Sequence, residues 1–184
     1  MRRVVVVGCP GAGKTTLAAN LASALDLHHI ELDELFHGPG WTQRSEDEFR
    51  AGIVAEMEVG DSERGGWVIC GNYNSASGGI HLAKADTVVW LDLPRSVVMA
   101  RVMKRTVVRG VLRTELWNGN REPFSNFVRW DPDHNIVRWA WVNYPKYLAQ
   151  YSAKLTEGSW DHVTVHRLRS ADEVNAFLAS SSTT

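Results

Sequence analysis

The chain has 184 residues, of which 44% are hydrophobic and 22% are charged, a composition typical of a single soluble globular domain. Its 20 Lys and Arg residues against 21 Asp and Glu residues give a formal charge of −1, which argues against binding nucleic acid through overall charge but leaves a local basic patch open. Two cysteines cannot build a disulfide framework, and no apolar run is long enough for a membrane span or a secretory signal, so we expect a cytoplasmic protein with no membrane partner.

The first predicted elements are a strand and a helix joined by a glycine turn. Residues 4–7 are four consecutive valines, a β-branched run typical of a strand that is buried on both faces. Leucines at 17, 21 and 25 then recur every four residues among alanines, which indicates a helix. A strand, a turn and a helix within the first 25 residues predict the opening of an α/β fold.

Further strands and helices alternate along the rest of the chain. Four more strands are predicted at 28–32, 66–71, 87–91 and 162–165. Helices are predicted after the capping pairs Ser45–Glu48 and Ser170–Glu173, from Pro94 onward, and over 136–155, where Pro145 should kink or divide the helix. The alternation predicts a three-layer α/β sandwich with a parallel sheet of about five strands. We expect one domain over residues 1–184, with irregular insertions at 33–44 and 106–133.

The turn after the first strand matches the pattern G-x-x-x-x-G-K-[ST] over residues 8–15. Its glycines let successive backbone N–H groups point at phosphate oxygens, and the following helix adds the positive end of its dipole. Lys14 is expected to reach the β- and γ-phosphates, and the Thr15 hydroxyl to ligate Mg²⁺. The nucleotide-binding residues are predicted to be Gly8, Pro10, Gly11, Ala12, Gly13, Lys14, Thr15 and Thr16. A chance glycine turn is the alternative, but the flanking strand and helix favour ATP with Mg²⁺.

Basic residues recur downstream at a helical spacing. Arg101, Arg105, Arg109 and Arg113 are four residues apart, with no acidic residue between the first and the last. Phosphoryl transfer needs positive charge at the transferring group, so Arg101 and Arg105 are candidate catalytic residues, with a solvated helix face as the alternative. For Arg109, substrate binding and a solvated face are equally consistent, and contact with a nucleic-acid backbone is a third option.

Asp33 follows the second predicted strand, where the ends of parallel strands face a ligand crevice. Its carboxylate is predicted to orient or deprotonate an acceptor hydroxyl and to help hold Mg²⁺, with helix capping as the alternative. Glu31, two residues earlier on a strand, would point to the same side. Asp92, after the fourth strand, is predicted to cap the next helix rather than to bind the metal.

Four more residues near the predicted crevice are candidate acceptor contacts. Asn72 and Tyr73 follow the third strand, although a simple turn accounts for them equally well. Phe36 and Trp41 are candidates to stack on a substrate ring, with packing inside the loop as the alternative. These residues, together with Asp33 and Arg109, make up the predicted substrate site.

The motifs together resemble the adenylate-kinase-related P-loop proteins that are often labelled topology modulation proteins. The resemblance rests on the phosphate loop, on the arginines at 101 and 105, and on the segments 31–36, 39–41, 67–73 and 89–95. It covers nearly the whole chain. Similarity to the wider nucleoside-monophosphate and small-molecule kinases implies a core that binds ATP, an acceptor-binding insertion over 33–64 and a lid over 106–133.

The chain departs from the wider family at two places. Cys70 stands where related kinases usually end the third strand with an aspartate, which shifts magnesium binding to Thr15 and Asp33. Residues 71–74 replace the Gly-Phe-Pro-Arg sequence of adenylate kinases. The resemblance implies an ATP-dependent kinase for a small acceptor, such as a nucleotide, a nucleoside or another small molecule. The alternative is a nucleotide-dependent regulatory or nucleic-acid-associated protein with little turnover. The acceptor, the preference for ATP over GTP and the oligomeric state stay open.

Overall fold

Five parallel strands form a single sheet in the computed structural model, which describes residues 1–112, 116–120 and 136–181 and the side chains of these except 109–112. The strands are β1 (Arg3–Gly8), β2 (His28–Glu31), β3 (Trp67–Cys70), β4 (Thr87–Leu91) and β5 (Thr164–Leu168). Their order across the sheet is β2-β3-β1-β4-β5. The chain therefore crosses β1 when it passes from β3 to β4, and a ligand crevice is expected at the carboxyl end of β1 in a sheet of this kind.

Seven helices are present in the described ranges, and they cover both faces of the sheet. They are α1 (Lys14–Leu25), α2 (Leu32–Phe36), α3 (Glu46–Glu63), α4 (Ile80–Lys84), α5 (Arg95–Leu112), α6 (Ile136–Thr156) and α7 (Ala171–Ser181). Single 3₁₀ turns lie at Pro39–Trp41 and Trp117–Gly119. No helix of the described residues is both long and apolar enough to cross a bilayer.

The valines of β1 divide the hydrophobic core into its two halves. Val4 and Val6 pack in one cluster with residues of α1, α5 and α7, whereas Val5 and Val7 pack in the other cluster with residues of α3 and α6. All four valines are fully buried, because successive side chains of a strand point to opposite faces of a sheet that is covered on both sides. The predicted fold class is confirmed.

Two predicted boundaries are wrong by several residues. The last strand begins at Thr164 rather than at 162, because a turn precedes it in which the Val163 N–H donates to the Trp160 carbonyl at 3.1 Å. Helix α5 continues to Leu112, so residues 106–112, which were predicted as part of an irregular lid, are helical. Val98, Val102 and Thr106 are buried at four-residue intervals, and this continuous buried face extends the helix.

Pro145 lies inside α6 without dividing it. A proline in a helix leaves the carbonyl four residues earlier without its usual N–H donor, and here that carbonyl belongs to Trp141. The guanidinium of Arg95 supplies the missing donor, with Nη2 at 2.6 Å from the Trp141 oxygen. The same guanidinium lies 3.4 Å from the centre of the Trp141 ring. This contact between α5 and α6 explains why the predicted break does not occur.

Candidate functional site

The phosphate loop lies at the carboxyl end of β1 and leads directly into α1. Gly11 and Gly13 have φ angles of 84° and 100°, in the left-handed region that favours glycine. A Cβ atom on Gly11 would collide with the Val102 side chain, so the loop packs tightly against α5. The Ala12 N–H donates to the Cys9 carbonyl at 3.0 Å and closes the turn. The N-terminus of α1 follows at once, as anion binding requires.

The Lys14 ammonium lies against the carbonyl groups of its own loop. Its Nζ donates to the Gly8 oxygen at 3.0 Å and to the Cys9 oxygen at 3.4 Å. Burial lowers the pKa of Lys14 from its ordinary value, while the nearby Asp33 carboxylate acts in the opposite direction. The phosphate loop and the predicted acceptor side share one crevice, because the adjacent residues Asn72 and Tyr73 donate to the Gly8 carbonyl at 2.8 Å and to the Asp33 carboxylate at 2.6 Å, respectively.

Thr15 and Thr16 at the start of α1 are exposed. The Cys70 Sγ atom lies 3.9 Å from the Thr15 hydroxyl oxygen and 3.8 Å from His29 Nε2. Burial raises the pKa of the Cys70 thiol to about 12, so a neutral thiol stands beside Thr15. Within the described ranges, no cluster of three or more His, Cys, Asp and Glu side chains could hold a metal ion.

The structure places Arg101, the first of the predicted catalytic arginines, against the phosphate loop. Arg101 Nη1 donates to the Ala12 carbonyl at 2.8 Å and lies close beside Gly13. The positive charge of Arg105 acts on Lys14 and contributes to lowering the pKa of that residue. The side chain of Arg109 and the whole of Arg113 lie outside the described part of the chain.

Asp33 does not lie on a strand, contrary to the prediction that it would share a strand face with Glu31. Strand β2 ends at Glu31 and α2 begins at Leu32, because the fully buried Leu32 side chain packs directly beneath Gly71. The Asp33 carboxylate accepts a hydrogen bond from the Tyr73 hydroxyl at 2.6 Å. Burial and the Asp33 charge both raise the pKa of Tyr73 above its ordinary value, so this hydroxyl is a permanent donor to Asp33.

The aromatic candidates lie in a cluster beside Asp33. The Phe36 ring centre lies 4.7 Å from that of Tyr73 and 5.2 Å from that of Phe49, an arrangement that fits the packing alternative for Phe36. The Trp41 ring centre is 5.4 Å from that of His37. His37 Nε2 in turn lies 3.2 Å from the Tyr73 hydroxyl.

Asn72 contacts the phosphate loop and helix α6. Its Nδ2 donates to the Gly8 carbonyl at 2.8 Å, and its Oδ1 accepts from the Tyr151 hydroxyl at 2.9 Å. Asp92, predicted as a helix cap, instead accepts from Arg167 Nη2 at 2.6 Å and joins the ends of β4 and β5. Neither partner is predictable from the sequence, because Tyr151 is 79 residues from Asn72 and Arg167 is 75 from Asp92.

Residues 116–120, one of the described segments of the predicted lid, contact the acceptor side, and this contact was not predicted from the sequence. The side chains of this segment donate four hydrogen bonds to segment 31–41. Trp117 donates to the Glu31 carboxylate at 2.8 Å, and Asn120 donates to the Gly38 carbonyl at 2.9 Å. Asn118 donates to the Glu34 carbonyl at 3.2 Å and to the His37 carbonyl at 2.5 Å. The Asn-Gly pair at 118–119 is the only local signal, since both residues have positive φ angles.

A family model and a curated relative, both described as shikimate kinase, are similar in sequence to this chain. A family model described as shikimate kinase matches residues 10–123. Shikimate kinase from Corynebacterium glutamicum is 31% identical over 105 residues, which cover 50% of this chain and 58% of the relative, so the match spans less than two thirds of that protein.

Two solved structures are similar to this chain to different degrees. Shikimate kinase from Acinetobacter baumannii, in complex with shikimate, has a TM-score of 0.53 and 16% identity, with coverage of 98% of this chain and 90% of that one. This likeness supports the fold alone. An unliganded sugar kinase from Janibacter sp. HTCC2649 has a TM-score of 0.42 and 27% identity, with coverage of 57% of this chain and 68% of that one.

Proposed function

The chain belongs to the shikimate kinase family, and on that premise we propose that it is an ATP- and Mg²⁺-dependent kinase that phosphorylates a hydroxyl group of a small molecule. The family assignment supports a P-loop kinase related to the nucleoside-monophosphate kinases, as the sequence predicted. The narrower label of topology modulation protein stays a prediction. So does the nucleic-acid role, which depends on the stretch from Arg101 to Arg113.

We assign the triphosphate to the phosphate loop, residues 8–15. The backbone N–H groups of the loop and the Lys14 ammonium would contact the phosphates, while Arg101 and Arg105 add positive charge beside them. The exposed Thr15 hydroxyl would ligate Mg²⁺. The neutral thiol of Cys70 makes a poor magnesium ligand, because Mg²⁺ prefers oxygen. The remaining ligands would then be nucleotide phosphates and water, with Asp33 as the predicted carboxylate ligand. Bound ATP supplies the phosphoryl group that is transferred.

Asp33 is the residue we assign to the acceptor hydroxyl. The Tyr73 hydroxyl occupies one of its oxygens at 2.6 Å, which fixes the carboxylate and leaves the second oxygen for the acceptor. As the acceptor oxygen attacks the γ-phosphorus, its proton passes to Asp33. The bond between the γ-phosphorus and the bridging oxygen breaks, and ADP leaves with the electron pair of that bond. Lys14, Arg101 and Arg105 stabilise the negative charge that spreads over the transferring group.

One arrangement carries the proposal: two adjacent residues after β3 contact both sides of the crevice. Tyr73 donates to the Asp33 carboxylate at 2.6 Å, and Asn72 donates to the Gly8 carbonyl at 2.8 Å. The Lys14 ammonium donates to that same carbonyl at 3.0 Å. A base for the acceptor and a cation for the nucleotide therefore share one crevice. A protein that only bound or sensed ATP would not need an oriented carboxylate at that position.

The test is release of ADP from Mg·ATP in the presence of a panel of acceptors. The panel contains shikimate, neutral sugars, sugar acids, nucleosides and nucleoside monophosphates. We expect at least one hydroxyl compound to raise ADP release above the rate without acceptor. We expect Asp33→Asn to lower kcat for that compound about 10²- to 10⁴-fold while ATP affinity is preserved.

The matched control is Asp61→Asn, which changes a half-buried aspartate that pairs with Arg3 at the opposite, amino end of β1. This substitution removes one carboxylate that lies away from the crevice, so the kcat of the variant should equal that of the wild type. If the protein binds Mg·ATP but no acceptor of the panel raises ADP release, the kinase proposal is wrong and the regulatory alternative gains support.

A further inference from the structure

The side-chain amide of Asn72 has both of its polar atoms engaged. Nδ2 donates to the Gly8 carbonyl at 2.8 Å, and Oδ1 accepts from the Tyr151 hydroxyl at 2.9 Å. A tyrosine hydroxyl that donates to the amide oxygen fixes which end of the amide faces Gly8. The hydrogen bond from Tyr151 therefore favours the orientation in which Asn72 presents a donor, and not an acceptor, to the phosphate loop.

Tyr151 is itself fixed by aromatic packing. Its side chain is 1% exposed. Its ring stacks on Tyr147 and Trp160, with centre-to-centre distances of 6.0 Å and 5.9 Å, and lies 5.7 Å from Trp90 on β4. Burial raises the pKa of the Tyr151 hydroxyl, which stays a neutral donor at physiological pH. Helix α6, which follows the predicted lid in the sequence, thus reaches the phosphate loop through two hydrogen bonds.

The Gly8 carbonyl accepts from two donors at once. One is Asn72 Nδ2, and the other is the Lys14 ammonium at 3.0 Å. Lys14 must leave the loop carbonyls when it turns to a phosphate, and a buried carbonyl that loses every donor carries a desolvation cost. Asn72 provides a donor that remains after Lys14 has moved.

We propose that Asn72 and Tyr151 are positioning residues that keep the Gly8 carbonyl satisfied and thereby release the Lys14 ammonium to the nucleotide phosphates. The inference rests on the proposed binding of nucleotide by residues 8–15. Neither residue touches the nucleotide in this scheme, and both act through Gly8 and Lys14.

The test compares the Mg·ATP affinity of two variants. Each variant lacks the hydroxyl of a different tyrosine of α6. Tyr151→Phe keeps the stacked ring but removes the hydroxyl that donates to the Asn72 amide oxygen. Tyr144→Phe is the matched control, because its hydroxyl donates to the Leu93 carbonyl at 2.9 Å, away from Asn72. By calorimetry we expect Kd to rise about 3- to 10-fold in Tyr151→Phe and to stay at the wild-type value in Tyr144→Phe. Both variants should lose similar thermal stability.

A double-mutant cycle with Lys14→Ala separates positioning from a general structural role. If Asn72 and Tyr151 act through Lys14, the effect of Tyr151→Phe on Kd should shrink when the ammonium is already absent. Equal effects in both backgrounds would overturn the proposal, and so would equal affinities of Tyr151→Phe and Tyr144→Phe. A wild-type protein that fails to bind Mg·ATP would overturn the nucleotide assignment and this inference together. Failure of every acceptor with normal ATP binding would overturn only the proposed reaction.

Discussion

The phosphate loop was predictable residue by residue because its chemistry is local. The spacing of Gly8, Gly13 and Lys14 within eight residues fixes a backbone that only a few sequences can adopt. The roles of Asp33 and Asn72 depended on partners far away in the sequence. Tyr73 is 40 residues from Asp33, and Gly8 is 64 residues from Asn72. The strand pattern therefore indicated Asp33 and Asn72 as candidates, but it did not predict which group each side chain would contact.

The hydrogen bond from Tyr73 to Asp33 gives a prediction at this scale. Tyr73→Phe keeps the ring that packs against Phe36 but leaves the carboxylate free to rotate away from the acceptor. Hydrogen bonds to charged groups contribute about 1.5–3 kcal/mol, so kcat/KM for the acceptor should fall about 10- to 100-fold. The Kd of Mg·ATP should change little, because the phosphate loop keeps its contacts. Steady-state kinetics with the acceptor identified in the panel measures the first quantity and calorimetry the second. A fall in ATP affinity that matched the fall in kcat/KM would contradict the assignment of Tyr73 to the acceptor side.

Single elements were predicted well wherever their own residues decide the structure. Helix α3 begins at the capping box of Ser45 and Glu48, in which each residue accepts a hydrogen bond from a backbone N–H of the other. The length of α5 and the continuity of α6 were not predicted. Both depend on packing between elements, since Thr106 is buried on the face that starts at Val98 and Arg95 supplies the donor that Pro145 lacks.

The contact between Arg95 and α6 can be tested through stability. Arg95→Met keeps an apolar stem but removes the donor to the Trp141 carbonyl, and we expect it to lower the free energy of unfolding by about 1–2 kcal/mol. In a Pro145→Ala background the helix supplies its own N–H to that carbonyl, so the same substitution should cost clearly less. Urea unfolding of the four proteins in this cycle measures the coupling. Additive effects would mean that Arg95 does not compensate for Pro145.

The whole molecule places the nucleotide loop, the acceptor-side residues and α6 around one end of the sheet. Helix α6 contributes Tyr151 to the Asn72 amide, while residues 116–120 bind the segment that carries Asp33. The parts of the chain on either side of 121–135 thus contact different halves of the same crevice. The geometry of the candidate site therefore depends on the stability of the whole fold. The free energy of unfolding in turn depends on pH.

Buried histidine side chains set the direction of that dependence. His81 on α4 is 0% exposed, and burial lowers its pKa to about 4 from about 6.5 in the unfolded chain. Between these two values the unfolded chain binds more protons than the folded one, so the free energy of unfolding should fall as the pH decreases from about 6.5 to 4. The full contribution of His81 is about 3 kcal/mol, present above pH 6.5 and lost near pH 4.

Urea unfolding at half-unit pH intervals checks this dependence against His81→Met, which removes the titrating ring but retains an unbranched apolar side chain. Burial also lowers the pKa values of His29 and His166, so the variant should keep a shallower slope of the same sign. Parallel curves for the two proteins would show that His81 is protonated as easily in the folded chain as in the unfolded one. A steeper loss in the wild type would mean that mild acid unfolds the protein through a residue outside the candidate crevice, so that the proposed activity would be lost together with folding.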